Sequence, residues 1–338
     1  MQWEYAIDAG SEEIRLVTRT QNEIIREAAL AASDQKRGVF AWGEKARAIY
    51  GREPEGVVVK KLVSGGVVQD TRLLAKRIYT LTDSPDKRRL SHPGVLISVS
   101  SAMREDRRDE LERRIIDAGI PVVGLIRSDF ACAIGAGLEI LESEAKMIVD
   151  VGAEKISASI ISAGRLIASD CLPFGMQRAD ERIQSSLRAQ YGYAVGPHTT
   201  KEIRHELGAI SGMSDDVKTL KPVFDYECFM PRMREIPAKA VYPYVFEIVQ
   251  ALAEMLERML LFLPPEIAAD LMKSGLTLAG GGAQIFGLAM HLENALGIPA
   301  KLAKESDLCI SKGLQVILKN QKAFTHLIED EMEESLRP

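Results

Sequence analysis

Twice in this chain a short apolar run ends in Asp-x-Gly, and a second apolar run follows within a few residues. Tyr5-Ala6-Ile7 leads through Asp8-Ala9-Gly10-Ser11 to Ile14-Arg15-Leu16-Val17. Met147-Ile148-Val149 leads through Asp150-Val151-Gly152-Ala153-Glu154 to the run from Ile156 to Ile161. Runs this short, bounded by a glycine turn, read as paired strands. A turn of this kind can offer backbone N–H groups to phosphates while its aspartate faces a hydrated metal ion. A plain hairpin turn satisfies the same local pattern. A third apolar run, Thr277-Leu278-Ala279, closes on Gly280-Gly281-Gly282 before a helical pattern resumes. Glycines there let the backbone approach a ligand that side chains would keep away. Two copies of one device and a third glycine turn together fit two related halves facing one cleft.

Length and charge narrow the function. The chain has 338 residues, enough for two domains with their own cores. A net charge of −5 argues against nucleic acid, which selects a basic face. The four cysteines lie far apart without a C-x-x-C pair, and are read as reduced thiols in apolar surroundings. The opening residues have neither a basic n-region nor an apolar h-region, and no apolar run reaches the ~18 residues of a membrane span. A cytoplasmic α/β protein is expected.

Strand and helix patterns alternate along the rest. Val95 to Val99 and Val122 to Ile126 read as strands. Glu105 to Ala118 reads as a helix with a solvated charged face, and Phe130 to Gly137 as a small-residue helix for close packing. Ala179 to Tyr191 and Thr200 to Leu207 are helical, the latter with Thr199 or Thr200 as N-cap. Asp215 to Pro237 mixes polar and apolar residues irregularly and reads as short strands or loop. Val241 to Leu263 has long apolar helical spacing that Pro264-Pro265 terminates. The segment after Asn320 is charged and expected to fray.

Strand–Asp-x-Gly–strand twice, then strand–Gly-Gly-Gly–helix, is similar to the arrangement of the actin superfamily, and within it the chain resembles the bacterial actins of the MreB family. Gly43-Glu44-Lys45-Ala46 with Gly51-Arg52-Glu53-Pro54 resembles that family's G-E-x-A…G-R-x-P stretch. Gly66-Val67-Val68-Gln69-Asp70 resembles its D-G-V-I-A-D strand, and Ala131 to Leu138 its A-A-A-I-G-A-G-L helix. Pro264 to Leu271 resembles P-P-E-L-x-x-D-I, and Leu278 to Gly282 resembles L-T-G-G-G. The resemblance implies an actin-like, ribonuclease H-like duplicated fold, with two lobes of two subdomains around a nucleotide cleft. The lobes are expected at 1–143 and 144–320, with a charged tail at 321–338. It further implies ATP or ADP with Mg²⁺, self-assembly into protofilaments, and a part in cell shape and wall-synthesis organisation at the inner face of the cell membrane. Other bacterial actins and membrane proteins of wall synthesis are the implied partners. Carried over by position, Asp8, Gly10 and Ser11 form the first phosphate turn, and Asp150 and Gly152 the second. Asp8 and Asp150 are the metal-facing carboxylates. Gly280, Gly281 and Gly282 form the nucleoside side, and Arg204 and Glu206 fall where the family's K-x-E motif meets ribose or base.

The departures concentrate on the phosphate side. The family's D-I-G-G-G-T-T is here Asp150-Val151-Gly152-Ala153-Glu154-Lys155-Ile156, and its T-A-N is Ser11-Glu12-Glu13. Two unit charges ~4 Å apart interact with roughly 4 kcal/mol at a surface-like dielectric. A hydrogen bond contributes only ~1 kcal/mol net. A carboxylate against phosphate therefore cancels several backbone contacts, and weakened nucleotide binding is expected. The family's I-E-E-P, which supplies the acid that positions the attacking water, is here Ile126-Arg127-Ser128-Asp129. With Arg127 and Ser128 in place of both glutamates, hydrolysis is expected to be impaired, no catalytic residue is assigned, and whether the chain is an enzyme stays open. Asp129 is displaced to the helix start, where its charge suits the helix N-terminus. The family's G-G-D-K-M-D becomes Gly175 to Asp180. Where the family carries two apolar residues in a membrane-contacting loop, this chain has Leu90 behind Lys87, Arg88 and Arg89, so a weak membrane contact is expected. An alternative function is a pseudo-ATPase adaptor that co-assembles with or regulates another bacterial actin.

Overall fold

The computed structural model describes residues 3–83, 92–101, 103–210 and 216–333, with only the backbone described for 329–333. These residues form two compact units, one of Met1–Ile140 with Leu308–Pro338, the other of Leu141–Asp307.

In the first unit, β1 (Trp3–Ala9), β2 (Glu13–Thr18) and β3 (Ile24–Ala28) form an antiparallel meander. The extended segment that begins with β3 breaks at Ala29. Its second part, β4 (Leu30–Asp34), joins β5 (Gly38–Trp42) and, beyond the short α1 (Glu44–Arg47), β6 (Val57–Lys61) in a separate three-stranded sheet. A small hairpin, β7 (Val63–Ser64) and β8 (Val67–Val68), leads to α2 (Thr71–Thr82), whose N-cap Asp70 accepts from the Leu73 N–H at 2.9 Å. Then β9 (Gly94–Val99) runs parallel to β1; every residue of it is buried, as befits an apolar run inside a sheet covered on both faces. After α3 (Glu105–Asp117), which buries only Leu111 and Ile115, β10 (Val123–Arg127) lies parallel to β9, and α4 (Ser128–Gly135) follows directly.

The second unit repeats the plan. Its meander is β11 (Lys146–Val151), β12 (Ile156–Ser162) and β13 (Arg165–Leu172). Helix α5 (Met176–Tyr191) starts three residues before Ala179, where the sequence suggested. The segment 218–237 is not irregular. After β14 (Tyr193–Ala194) and α6 (Pro197–Leu207), it forms a hairpin of two eight-residue strands, β15 (Lys218–Asp225) and β16 (Met230–Pro237). Pro222 and Pro231 sit in these strands and blurred their pattern, because proline is tolerated only where no ladder donor is needed. No side chain caps α6; Pro197 opens it at the first turn, and the Thr200 hydroxyl donates back to the Gly196 carbonyl at 2.9 Å. Helix α7 (Tyr242–Leu261) buries Val245, Ile248, Val249, Leu252, Leu256 and Met259, the stripe its spacing predicts. Then come α8 (Pro265–Ser274), β17 (Leu276–Ala279), α9 (Leu288–Leu296) and β18 (Ala300–Leu302). Among the described residues the two large sheets read β3-β2-β1-β9-β10 and β13-β12-β11-β17-β18. The order is the same, third–second–first–fourth–fifth, with the first strand pairing antiparallel on one side and parallel on the other.

From Leu308 the chain groups with the first unit, whereas the sequence reading kept residues up to 320 with the second lobe. The reason is a long-range helix contact. Helix α10 (Cys309–Lys319) crosses α4 so closely that a Cβ on Gly135 would stand 1.7 Å from the Cys309 carbonyl oxygen. One on Gly313 would stand 1.7 Å from that of Ala131. Residues 321–333, expected to fray, form α11 (Gln321–Glu333), and the Gln321 side chain donates to the Trp3 carbonyl at 2.7 Å, tying it to β1. In an ordinary helix, Gly→Ala gains ~1 kcal/mol. At Gly313 the sign should reverse: overpacking against backbone makes Gly313→Ala destabilising by ~3 kcal/mol. Urea unfolding of the two proteins checks this, and an unchanged midpoint would refute it.

Candidate functional site

Asp8 is the penultimate residue of β1, follows the buried Ala6 and Ile7, and is 5 % exposed. Ser311 Oγ on α10 donates to its Oδ2 at 3.2 Å, and Arg15 Nη1 lies 3.7 Å from the same oxygen. Burial pushes the Asp8 carboxyl above its ordinary value of 3.8, against the opposing pull of Arg15 and of the Ser311 and Ser98 hydroxyls. Gly10 is required by the turn: a Cβ there would lie 2.8 Å from the Glu13 carbonyl oxygen. Ser11 Oγ accepts the Gly66 N–H at 3.3 Å, so this hydroxyl staples the turn to the β7–β8 hairpin.

The second turn has the same geometry. Gly152 N–H donates to the Lys155 carbonyl at 2.9 Å, and a Cβ on Gly152 would come within 2.6 Å of that oxygen. The turn is also fastened to the start of α5: Met176 N–H donates to the Gly152 carbonyl at 3.1 Å and Gln177 N–H to the Ala153 carbonyl at 2.7 Å. Two of the helix's orphan amides are thereby satisfied by backbone rather than left for an anion. Asp150 pairs in register with Ala279 of β17, which places it beside the glycine loop. Gly280 has φ +85°, and a Cβ on it would meet Asp150 Oδ1 at 2.4 Å and the Val151 carbonyl at 2.5 Å. A Cβ on Gly282 would meet Val151 and Met176 at 2.6 Å, while Gly281 faces open space.

That open space belongs to a cavity of about 290 Å³ lined by Arg204, His205, Glu206, Gly281, Gln284 and Phe286, among others. Arg204 is 7 % exposed and forms a fork on Asp180 of α5, with Nε 2.6 Å from Oδ1 and Nη2 3.5 Å from Oδ2. Its charge is thus committed within the unit. Burial pushes the Asp180 carboxyl up, with Arg204 pulling the other way. Glu206 is half-exposed and is held below the usual carboxylate range by Lys221, then by Thr219. His205 is pushed down by burial and by the neighbouring Arg204 charge. Gln284, Phe286, Thr219 and Lys221 were missed by sequence reasoning. Gln284, two residues past the triplet, was findable as a polar group opening the loop; nothing local marked the other three.

In the first unit, Asp129 is buried at the start of α4. Ser101 Oγ donates to its Oδ2 at 2.5 Å, and Arg127 Nη2 lies 3.5 Å from the same oxygen. Leu90, with Lys87 to Arg89, lies outside the described residues. Among the described residues no helix is long and apolar enough to cross a membrane, and no group of three His, Cys, Asp or Glu could hold a metal. Mg²⁺ does not need such a cage: it keeps several waters and takes one or two carboxylates plus phosphate oxygens. Asp8 and Asp150 each offer a suitable hard oxygen donor. Gly280 and Gly282 are packed against Asp150, Val151 and Met176, while Gly281 faces the cavity and leaves its backbone open to a nucleoside.

A family model described as MreB/Mbl protein matches residues 2–326. The cell shape-determining protein Mbl of Bacillus cereus is 26 % identical over 326 residues, covering 93 % of this chain and 95 % of that protein. The cell shape-determining protein MreB of Escherichia coli is 27 % identical over 320 residues, covering 91 % of each. Among solved structures, MreB5 of Spiroplasma citri bound to ADP superposes with a TM-score of 0.85 at 21 % identity, covering 95 % of this chain and 97 % of that one. The MamK double helical filament gives 0.75 at 13 % identity, covering 93 % and 97 %. The fold is therefore actin-like.

Because its neutral form is favoured by the fold, Asp8 contributes full stability below 3.8 and progressively less as pH rises through the raised folded value. Ligand-free Asp8→Asn should melt above the parent at neutral pH, with the gap closing as pH falls towards 3.8. Thermal melts across pH check this; a parent at least as stable at neutral pH would contradict it.

Proposed function

This chain belongs to the MreB/Mbl family, and on that footing we propose that it is a nucleotide-binding cytoskeletal protein that assembles with copies of itself into filaments, serves cell shape, and hydrolyses ATP slowly or not at all. The observation that carries this reading is the convergence of Arg204, Glu206 and Gly281 on one cavity beside Asp150 and the glycine loop. Relatives support it: Mbl and MreB are cell shape-determining proteins, MreB5 was crystallised with ADP and with AMPPNP, and MamK forms a double helical filament.

In this reading Gly281 and its neighbours take the nucleoside against backbone, and the Asp8–Ser11 and Asp150–Gly152 turns serve phosphate. Asp8 and Asp150 orient the hydration shell of Mg²⁺, which when bound neutralises phosphate charge. Hydrolysis needs a group that takes a proton from water. The Arg127 guanidinium offers only donors and Ser128 is too weak a base, while Asp129 already accepts from Ser101 and faces Arg127. Glu154 adds negative charge to a phosphate turn. Weak affinity still permits occupancy, since at free ATP far above Kd the site fills by mass action. The proposed place of action is the cytoplasm at the inner face of the membrane, with Leu90 and its cationic neighbours touching anionic lipid and wall-synthesis proteins as partners.

Electron microscopy of the purified chain with and without ATP is the direct test. Filaments, with phosphate release well below that of an ordinary family member, are expected; release at an ordinary rate would sink the hydrolysis claim. A monomer that sediments only with another bacterial actin would favour an adaptor instead. Glu154→Gln should tighten ATP binding roughly tenfold at low salt, the gain shrinking as salt rises; calorimetry at two ionic strengths reads it, and an unchanged Kd rejects the repulsion. Co-sedimentation with anionic vesicles should fall for Leu90→Glu, and an unaltered pellet would rule this loop out as the contact.

A further inference from the structure

Both carboxylate oxygens of Glu206 are held by one strand. Lys221 Nζ lies 2.7 Å from Oε1, and Thr219 Oγ1 donates to Oε2. The same ammonium reaches Glu202 Oε2 at 2.9 Å, one turn earlier on α6. Thr219 and Lys221 are two apart on β15, so both project from the face turned towards α6, while Leu220 and Phe224 project to solvent. The Lys221 side chain is only 12 % exposed. Lysine is seldom buried to this extent unless its charge is paired. One ammonium between two carboxylates leaves the cluster net negative at the rim of the cavity.

A carboxylate has about four acceptor sites, and Glu206 spends one on each oxygen here. Each oxygen keeps a second acceptor site, a spacing suited to two adjacent hydroxyls. We propose that Lys221 and Thr219 are positioning residues that fix the Glu206 carboxylate for the vicinal ribose hydroxyls of a nucleotide, so that the β15–β16 hairpin is coupled to the sugar and the chain selects ribonucleotides over deoxyribonucleotides. This rests on the nucleotide reading of the cavity. A clamped carboxylate has already lost the rotamer freedom that a ligand would otherwise have to remove. A site arranged to accept from a hydroxyl discriminates against the analogue without it, because its acceptor is left unpaired.

Calorimetry with ATP and 2′-deoxyATP tests it on the full chain, Lys221→Met, Lys221→Arg and Thr219→Val. The parent should prefer ATP roughly tenfold, the worth of one charge-assisted hydrogen bond. Lys221→Met should bring the ratio to within about twofold, Thr219→Val should lower it partway, and Lys221→Arg should retain most of it. Melting temperatures should barely move, since Glu202 and Glu206 are 44 % and 46 % exposed and water can replace the ammonium. A purely structural role would move stability and leave the ratio alone. If Lys221→Met fails to fold, Thr219→Val, nearly isosteric, carries the readout. ATP binding with the same ratio in the parent and the variants overturns the inference alone. No binding of either nucleotide to the parent overturns the nucleotide reading, and this inference with it.

Discussion

In each unit one carbonyl oxygen passes so close to a glycine that no other residue fits. The Glu13 carbonyl would sit 2.8 Å from a Cβ on Gly10, and the Lys155 carbonyl 2.6 Å from one on Gly152. That contact closes the hairpin between the first and second strands of each sheet, and it leaves the preceding aspartate at the carboxyl end of the first strand. The first strand is where each sheet changes from antiparallel to parallel pairing. Open α/β sheets leave their ligand crevices at such changes of direction. The turn therefore does two jobs at once, setting the sheet order and leaving the aspartate at the carboxyl end of the first strand.

This constraint is why so much of the fold was legible. A glycine that must occupy one position in a turn leaves a mark in the sequence, and so does an apolar run that must be buried on both faces, as in Val95-Leu96-Ile97. What stayed hidden depends on distant partners. Nothing near Gly313 announces that Ala131 lies against it, so the return of the last helices to the first unit could not be read locally. The β15–β16 hairpin was obscured by Pro222 and Pro231. Arg204 lines the cavity, but its fork on Asp180, 24 residues earlier, required the fold. Ser11 lies in the turn expected of it, yet its hydroxyl is used to hold Gly66.

Burial sets the balance of the first turn. Asp8 is surrounded by partners too few to offset the loss of water, so its ionised form is carried at a cost to the folded chain. Such a group is hard to explain as a structural device, because a neutral residue of the same shape would serve the fold better. A carboxylate so placed is in keeping with the cation-facing role proposed for Asp8.

The same reasoning separates the two sides of the second unit. Its turn commits the Gly152 and Ala153 carbonyls to the first amides of α5, so the helix N-terminus is closed by backbone and offers fewer free donors to phosphate. Glu154 adds charge of the wrong sign nearby. The cavity side is different: Gly281 stays open to a ligand, and Glu206 is held at both oxygens by side chains whose positions are set by a strand ladder. If binding free energy is drawn chiefly from base and sugar, the phosphates are gripped loosely. A loosely gripped γ-phosphate, with no base to deprotonate a water, gives little differential stabilisation of a transition state. Nucleotide would then act on this chain as a structural ligand, stabilising whichever conformation closes on the sugar, rather than as a fuel whose cleavage resets it.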